Sequence, residues 1–164
     1  MCASGQYVKG MQLRIEKNHG GGDDSALNAI RLTCSDGVVL KSAEGWWGDW
    51  LDYTESENKI VGVFLRSEKN QGGGDDSATN GVKFYDVNRK TYFPGNGYWG
   101  EWVFAKCPNG SSVIGFRTQV EPRQGDGDDS ALNRAEFICG NNGAIMKGII
   151  YLFTYFSAKQ TCNS

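Results

Sequence analysis

Histidine, proline and clustered basic charge are scarce in this chain: 164 residues contain one histidine and three prolines. A lone His19 excludes a His-rich zinc site and leaves little room for Ser/His/Asp or Cys/His nucleophilic catalysis. Lysine and arginine total 17 against 19 acidic residues, a net charge of -2, and no basic run occurs. Nucleic acid and anionic membrane surfaces therefore lack an electrostatic footprint here. No apolar stretch approaches the ~20 residues of a transmembrane helix, and the longest, Ile149 to Phe153, is strand length. The Gly-x-x-x-x-Gly-Lys of a nucleotide loop is missing, and the glycine-rich loops run into Asp-Asp, whose charge repels phosphate. Met1 to Gly5 show no leader pattern, which leaves a cytosolic chain or a mature secreted one to be decided by the cysteines.

Glycine is abundant instead, with 23 residues, about twice its ordinary ~7% share. Together with 39% hydrophobic and 12% aromatic residues, this composition predicts one folded domain over residues 1–164, rich in tight turns. The glycines belong to a repeat. Gly20-Gly21-Gly22-Asp23-Asp24-Ser25-Ala26-Leu27-Asn28 returns at Gly72 to Asn80 and again at Gly125 to Asn133, offsets of 52 and 53 residues. Upstream, Gly10, Gly62 and Gly115 correspond, as do Glu16, Glu68 and Glu121. Downstream, Trp47-Gly48-Asp49-Trp50 matches Trp99-Gly100-Glu101-Trp102, with a degenerate third copy at Leu152 to Tyr155. The units span about 2–53, 54–106 and 107–162.

Each unit has strand chemistry. Ile30, Leu32 and Cys34 alternate with Arg31 and Thr33, and Val82 and Phe84 alternate with Lys83 and Tyr85, a period of two that buries one face. Turn residues interrupt such runs every ten residues or so, and no amphipathic helix is present. A ~52-residue unit then holds about four strands, and three units make three small antiparallel sheets sharing one core around a pseudo-threefold axis.

The Gly-Gly-Gly-Asp-Asp-Ser-Ala-Leu-Asn loop, the Arg66-Ser67-Glu68-Lys69-Asn70-Gln71 segment and the Trp-Gly-x-Trp motifs resemble the vitelline membrane outer layer protein I family over nearly the whole chain. The resemblance implies an all-β fold, a β-prism of three four-stranded Greek-key sheets, and a secreted protein of egg coats and mucosal fluids with a carbohydrate-related role. Family members carry a tryptophan-rich segment before their first repeat, whereas here the comparable segment, Ile149 to Cys162, lies at the end, so the chain reads as circularly permuted.

The cysteines agree with an extracellular location. Cys2 and Cys34 stand 32 residues apart, as do Cys107 and Cys139, at equivalent places in their repeats. In the middle repeat a constant offset puts Thr54 and Asp86 at those places, so both cysteines vanish together, as covalent partners would. Bridges Cys2–Cys34 and Cys107–Cys139 follow, resembling the family's pattern, with Thr54 expected to face Asp86. The wrapped repeat brings Cys162 to the neighbourhood of Cys2, where the two compete for Cys34, and the cysteine left over is available for a dimer.

Two sets of residues carry possible chemistry. The loop carboxylates Asp23, Asp24, Asp75, Asp76, Asp128 and Asp129, with Glu16, Glu68 and Glu121, suit calcium or glycoside chemistry. They equally suit a hydrogen-bonded turn, to which Asn28, Asn80 and Asn133 contribute. Threefold recurrence favours the turn, because a catalytic constellation is normally built once. Tryptophan interleaved with carboxylate suits a sugar ring, whose C–H face stacks on an indole while carboxylates accept its hydroxyls. Trp47, Trp50, Trp99 and Trp102 recur and are expected in the core, which leaves Trp46, Asp49, Tyr98 and Glu101 as the carbohydrate-binding candidates. The resulting expectation is a secreted, non-catalytic binder of a glycan or glycoprotein in an extracellular matrix or coat, without metal or cofactor. A weak hydrolase or transferase acting on amino-sugar oligosaccharides and a purely structural coat component are the alternatives.

Overall fold

The computed structural model describes residues 1–17, 27–67, 79–95, 97, 100–120, 132–141 and 144–150, with backbone alone for 119–120, 133–134, 141 and 144–150. These residues form twelve β-strands in three antiparallel sheets, with no helix among them. The first sheet contains β1 (Val8–Ile15), β2 (Leu27–Cys34), β3 (Val39–Lys41), β4 (Asp49–Trp50) and β5 (Thr54–Glu55). The second contains β6 (Ile60–Ser67), β7 (Thr79–Asp86), β8 (Thr91–Tyr92) and β9 (Glu101–Lys106). The third contains β10 (Ser112–Val120), β11 (Leu132–Asn141) and β12 (Ala144–Ile150).

The strand orders β3-β2-β1-β4 and β8-β7-β6-β9 are those of Greek keys, in which the fourth strand returns to lie beside the first. Three four-stranded sheets do not appear among the described residues. The third sheet shows three strands, and the first has five because its returning strand is split. Between Trp50, opposite Arg14, and Glu55, opposite Gly10, lie four residues facing three on β1. From Trp102 to Lys106 the count is three against three. One extra residue makes a bulge, and the bulge divides what is a continuous β9 into β4 and β5.

The central hairpins repeat closely. Register shifts fall between Val8 and Gly10, Ile60 and Gly62, and Val113 and Gly115, and again near the far end of each hairpin. The carbonyl of the residue skipped at each near-end shift accepts an edge amide: Lys9 from Ser56, Val61 from Cys107, and Ile114 from Cys2. The adjacent glycine is required by close approach. A Cβ on Gly62 would lie 2.7 Å from the Phe104 ring and one on Gly115 2.8 Å from Met1 Cγ, while Tyr53 crosses Gly10. Met1 and Cys2 thus dock on the third sheet where the first two receive their own returning strands.

Alternation along β2 and β7 buries Ile30, Leu32, Val82 and Phe84. The inner faces of all three sheets meet in one cluster, with Leu13 and Leu32 from the first, Leu65 and Phe84 from the second, and Val113 and Phe137 from the third. Phe84 and Phe137 touch edge to face across the second and third sheets, 6.2 Å between centroids. Aliphatic and phenyl groups fill this core, and none of the described tryptophans is buried in it.

Two disulfides link the sheets, Cys2–Cys34 and Cys107–Cys139. Cys2, not Cys162, is therefore the partner of Cys34. Through the edge amides just described, the first bridge ties the third sheet to the first and the second ties the second sheet to the third. At the remaining junction the register corrects the expected Thr54–Asp86 pair. Thr54 pairs with Met11 inside the first sheet, and Ser56 occupies the cysteine place because the turn to Gly62 is two residues shorter than those to Gly10 and Gly115. Asp86, fully buried, accepts bonds from Asn58 Nδ2 at 3.2 Å, the Tyr92 hydroxyl at 3.1 Å and the backbone N–H groups of Asn88 and Lys90.

Candidate functional site

The Trp-Gly-x-Trp segment lies on the returning strand and the loop leading into it, outside the shared core. Trp46 is 74% exposed and Trp47 51%, while Trp50 is half-buried on the outer face of the first sheet. The expected burial of Trp47 and Trp50 fails because the core is already filled by residues of the central hairpins.

The loop backbone is nevertheless tightly held. Arg14 donates from Nε to the Gly48 carbonyl at 2.9 Å and from Nη1 to the Gly45 carbonyl at 3.1 Å. Glu44 bridges Arg14 at 3.4 Å and Arg31 at 3.1 Å, and the Arg31 guanidinium lies 3.6 Å above the Trp50 ring. Asn28, buried in β2, accepts the Gly45 N–H on its carbonyl and the Trp47 N–H on its side-chain oxygen, at 2.8 and 3.4 Å. These two bonds reach forward to the tryptophan loop. Gly48 adopts φ +86°, and a Cβ there would meet the backbone of Ile15 and Glu16 at 2.5 Å, so this glycine lets the loop lie flat on β1.

The second repeat is built alike. Arg66 donates to the carbonyls of Gly100 and Gly97, both at 3.0 Å, Asn80 accepts from the Gly97 N–H, and Lys83 sits 3.9 Å from the Trp102 ring and 4.8 Å from Phe93. Sequence reasoning passed over these cations, although Arg14/Arg66 and Arg31/Lys83 recur at the repeat offset and that recurrence was the available signal. In the third repeat Gln119 and Glu136 stand at the corresponding positions.

Asp49 and Glu101 are both exposed and occupy equivalent registers, opposite Ile15 and Ser67, each at the end of its own sheet. Trp46 and Asp49 therefore share one loop, and Glu101 belongs to the matching place in the second repeat. Tyr98 lies outside the described residues. So do Trp99, Glu68, Glu121, Cys162 and the loop carboxylates Asp23, Asp24, Asp75, Asp76, Asp128 and Asp129. Among the described residues no three His, Cys, Asp or Glu side chains converge.

The second sheet carries a further cluster that the sequence reading missed. Phe64, Tyr85 and Phe104 pack on its outer face, Phe64 to Phe104 at 4.4 Å and Tyr85 to Phe104 at 5.5 Å, beside the Phe93–Trp102 edge contact at 5.9 Å. The matching positions of the first sheet hold Gln12, Thr33 and Tyr53 in its register. What both outer faces share is a tryptophan under a cation and a backbone loop clamped by an arginine, an arrangement that presents aromatic and carboxylate groups on a fixed frame.

Comparison with known proteins shows the family of the chain. A family model described as vitelline membrane outer layer protein I matches residues 1–139 and 89–152. A human protein, vitelline membrane outer layer protein 1 homolog, is 36% identical over 151 residues, covering 85% of this chain and 73% of its own length. Its mouse counterpart is 34% identical over 151 residues, covering 85% and 74%.

Proposed function

From the premise that this chain belongs to the vitelline membrane outer layer protein I family, we propose that it is an extracellular coat protein that binds glycan without catalysis. In this reading the three sheets form a β-prism with pseudo-threefold symmetry over residues 1–164. The relatives are named for the outer layer of the vitelline membrane, and two disulfides fit an oxidising compartment.

One observation carries the binding reading: two adjacent tryptophans, 74% and 51% exposed, project from a loop whose backbone is held by hydrogen bonds from Arg14 and to Asn28. Exposed indoles on a floppy loop would lose ordering entropy on binding, whereas these are already placed. Trp46 offers a stacking face and Asp49 accepts hydroxyl hydrogen bonds, with Tyr98 and Glu101 supplying the same pair in the second repeat. A glycan array tests this directly. Trp46→Ala should weaken binding of any sugar found by about 1 to 3 kcal/mol, with little change in the unfolding midpoint. A clean array together with self-association would favour a purely structural coat component, and cleavage of chito-oligosaccharides seen by mass spectrometry would favour an enzyme. Cys162 is the fifth cysteine and, in this proposal, is available to join two copies, which a non-reducing gel would reveal.

A further inference from the structure

Asn109-Gly110-Ser111 is the one Asn-x-Ser/Thr triplet with a non-proline middle residue in all 164 residues. It forms the turn between β9 and β10, where Pro108, Asn109 and Gly110 are exposed. The Ser111 N–H donates to the Pro108 carbonyl at 3.0 Å, and Gly110 takes φ +79°, so Asn109 stands at the second position of a tight turn with its side chain outward.

The fold itself does not need asparagine there. The equivalent turn of the first repeat is Ala3-Ser4-Gly5-Gln6, with the same bond, Gln6 N–H to Ala3 carbonyl at 3.0 Å, and the same φ of +79° at Gly5. Ser4 fills the position of Asn109 in identical backbone geometry. The Ser111 hydroxyl donates to the Pro108 carbonyl at 2.5 Å and Ser111 is only 5% exposed, so in the folded chain this hydroxyl is engaged. An enzyme that reads the serine hydroxyl must therefore meet the segment before the turn closes and before Cys107, two residues upstream of Asn109, is oxidised.

We infer that Asn109 is an N-glycosylation site, modified as the nascent chain enters the secretory compartment. The inference rests on the extracellular reading above. The donor is an oligosaccharide linked to a lipid through pyrophosphate. The Asn109 Nδ2 atom forms a bond to the anomeric carbon and loses a proton, and the lipid pyrophosphate leaves with the bonding electrons of the broken C–O bond. The site is remote from the tryptophan loop, because Gly100 and Asn109 lie beyond opposite ends of β9, a strand spanning about 20 Å at about 3.3 Å per residue. The protein would carry one glycan at one end of its strands and the groups proposed to bind another's glycan at the other.

The test is secretion of the full chain from eukaryotic cells behind a leader, with the intact mass read before and after peptide-N-glycosidase. We expect a mass above that of the polypeptide, collapse on enzyme treatment with Asp appearing at position 109, no shift in Asn109→Gln, and a retained shift in Ser111→Thr. Secretion of disulfide-bonded protein at the bare polypeptide mass would overturn the site and leave the extracellular reading standing. A chain that cannot be secreted in disulfide-bonded form would overturn both.

Discussion

The junction between the first and second sheets differs in kind from the other two. Those are closed by sulfur, Cys2–Cys34 and Cys107–Cys139, whereas at the first Asp86 gathers Asn58, Tyr92 and two backbone amides. All three keep the same backbone frame: a skipped residue in the central hairpin turns its carbonyl outward to the incoming edge amide. The cross-link is thus interchangeable while the frame is constant. The substitution is also concerted. Tyr92 pairs with Phe84 as Leu40 pairs with Leu32, so a hydroxyl stands in place of an aliphatic group at the junction that has a carboxylate to receive it.

The largest difference between the two kinds of junction should appear on reduction. Each bridge closes a loop with a sequence separation of 32 residues, worth about 3 to 4 kcal/mol in the chain-entropy picture. Urea unfolding with and without reductant should show the loss of both contributions, and Cys34→Ala with Cys2→Ala should reproduce about half of it. An unchanged midpoint would mean that the sulfur junctions add nothing to what hydrogen bonds achieve at the third. A chelator should leave the midpoint where it was, since the described residues owe their junctions to sulfur and hydrogen bonds.

Next in size is Asp86→Ala, which strands several buried donors and should cost about 2 to 4 kcal/mol. Its pH dependence separates the junctions further. Burial pushes the Asp86 carboxyl up, but donation from the Lys90 amide, Asn58, Tyr92 and the Asn88 amide outweighs it and holds the group below the usual carboxylate range. With the folded value depressed, the unfolded chain protonates first, near ~3.9, so the stabilisation is complete above that value and is lost as pH falls toward the folded value. The stability gap between the wild type and Asp86→Asn should therefore narrow on acidification. A gap independent of pH would mean that the carboxylate charge contributes nothing to the junction.

The legible parts of this molecule were those written in local period and recurrence. Alternation of Ile30, Leu32 and Cys34 with Arg31 and Thr33 located a half-buried strand, and equal spacing of the cysteines located both bridges. Failures came where a constant offset was trusted across an indel. The shortened turn after Ser56 moved the junction residue from Thr54 to Ser56, and the extra residue between Trp50 and Glu55 split a strand that is continuous in the next repeat. The tryptophans misled for another reason. Size suggested burial, but Arg31 and Lys83 cover Trp50 and Trp102 on the outer face, and a cation from a neighbouring strand leaves no trace in local periodicity. For the candidate site, Trp46 flanks the recurrent motif and Asp49 is the variable position inside it, which made their exposure readable, while the clamp beneath them left its trace only in the recurrence of Arg14/Arg66 and Arg31/Lys83 at the repeat offset.

The smallest expected effect gives the finest discrimination, because it decides which residue holds the cysteine's place at the middle junction. Ser56 is 3% exposed, and its hydroxyl donates to the Asn58 carbonyl at 2.9 Å while accepting the Asn58 N–H at 3.1 Å. That small loop fixes Asn58, whose side chain then reaches Asp86. Ser56→Ala should cost about 1 kcal/mol through the lost hydrogen bonds. Because the loss is transmitted through Asn58, it should shrink when Asn58→Ala is already present. Thr54, half-buried on β5, should tolerate alanine within about 0.5 kcal/mol. A double-mutant cycle between position 56 or 54 and Asn58, read by urea unfolding, measures both. If Thr54 couples to Asn58 and Ser56 does not, the two-residue shortening has been placed on the wrong side of β5, and the hydrogen-bonded junction would have to be redrawn around Thr54.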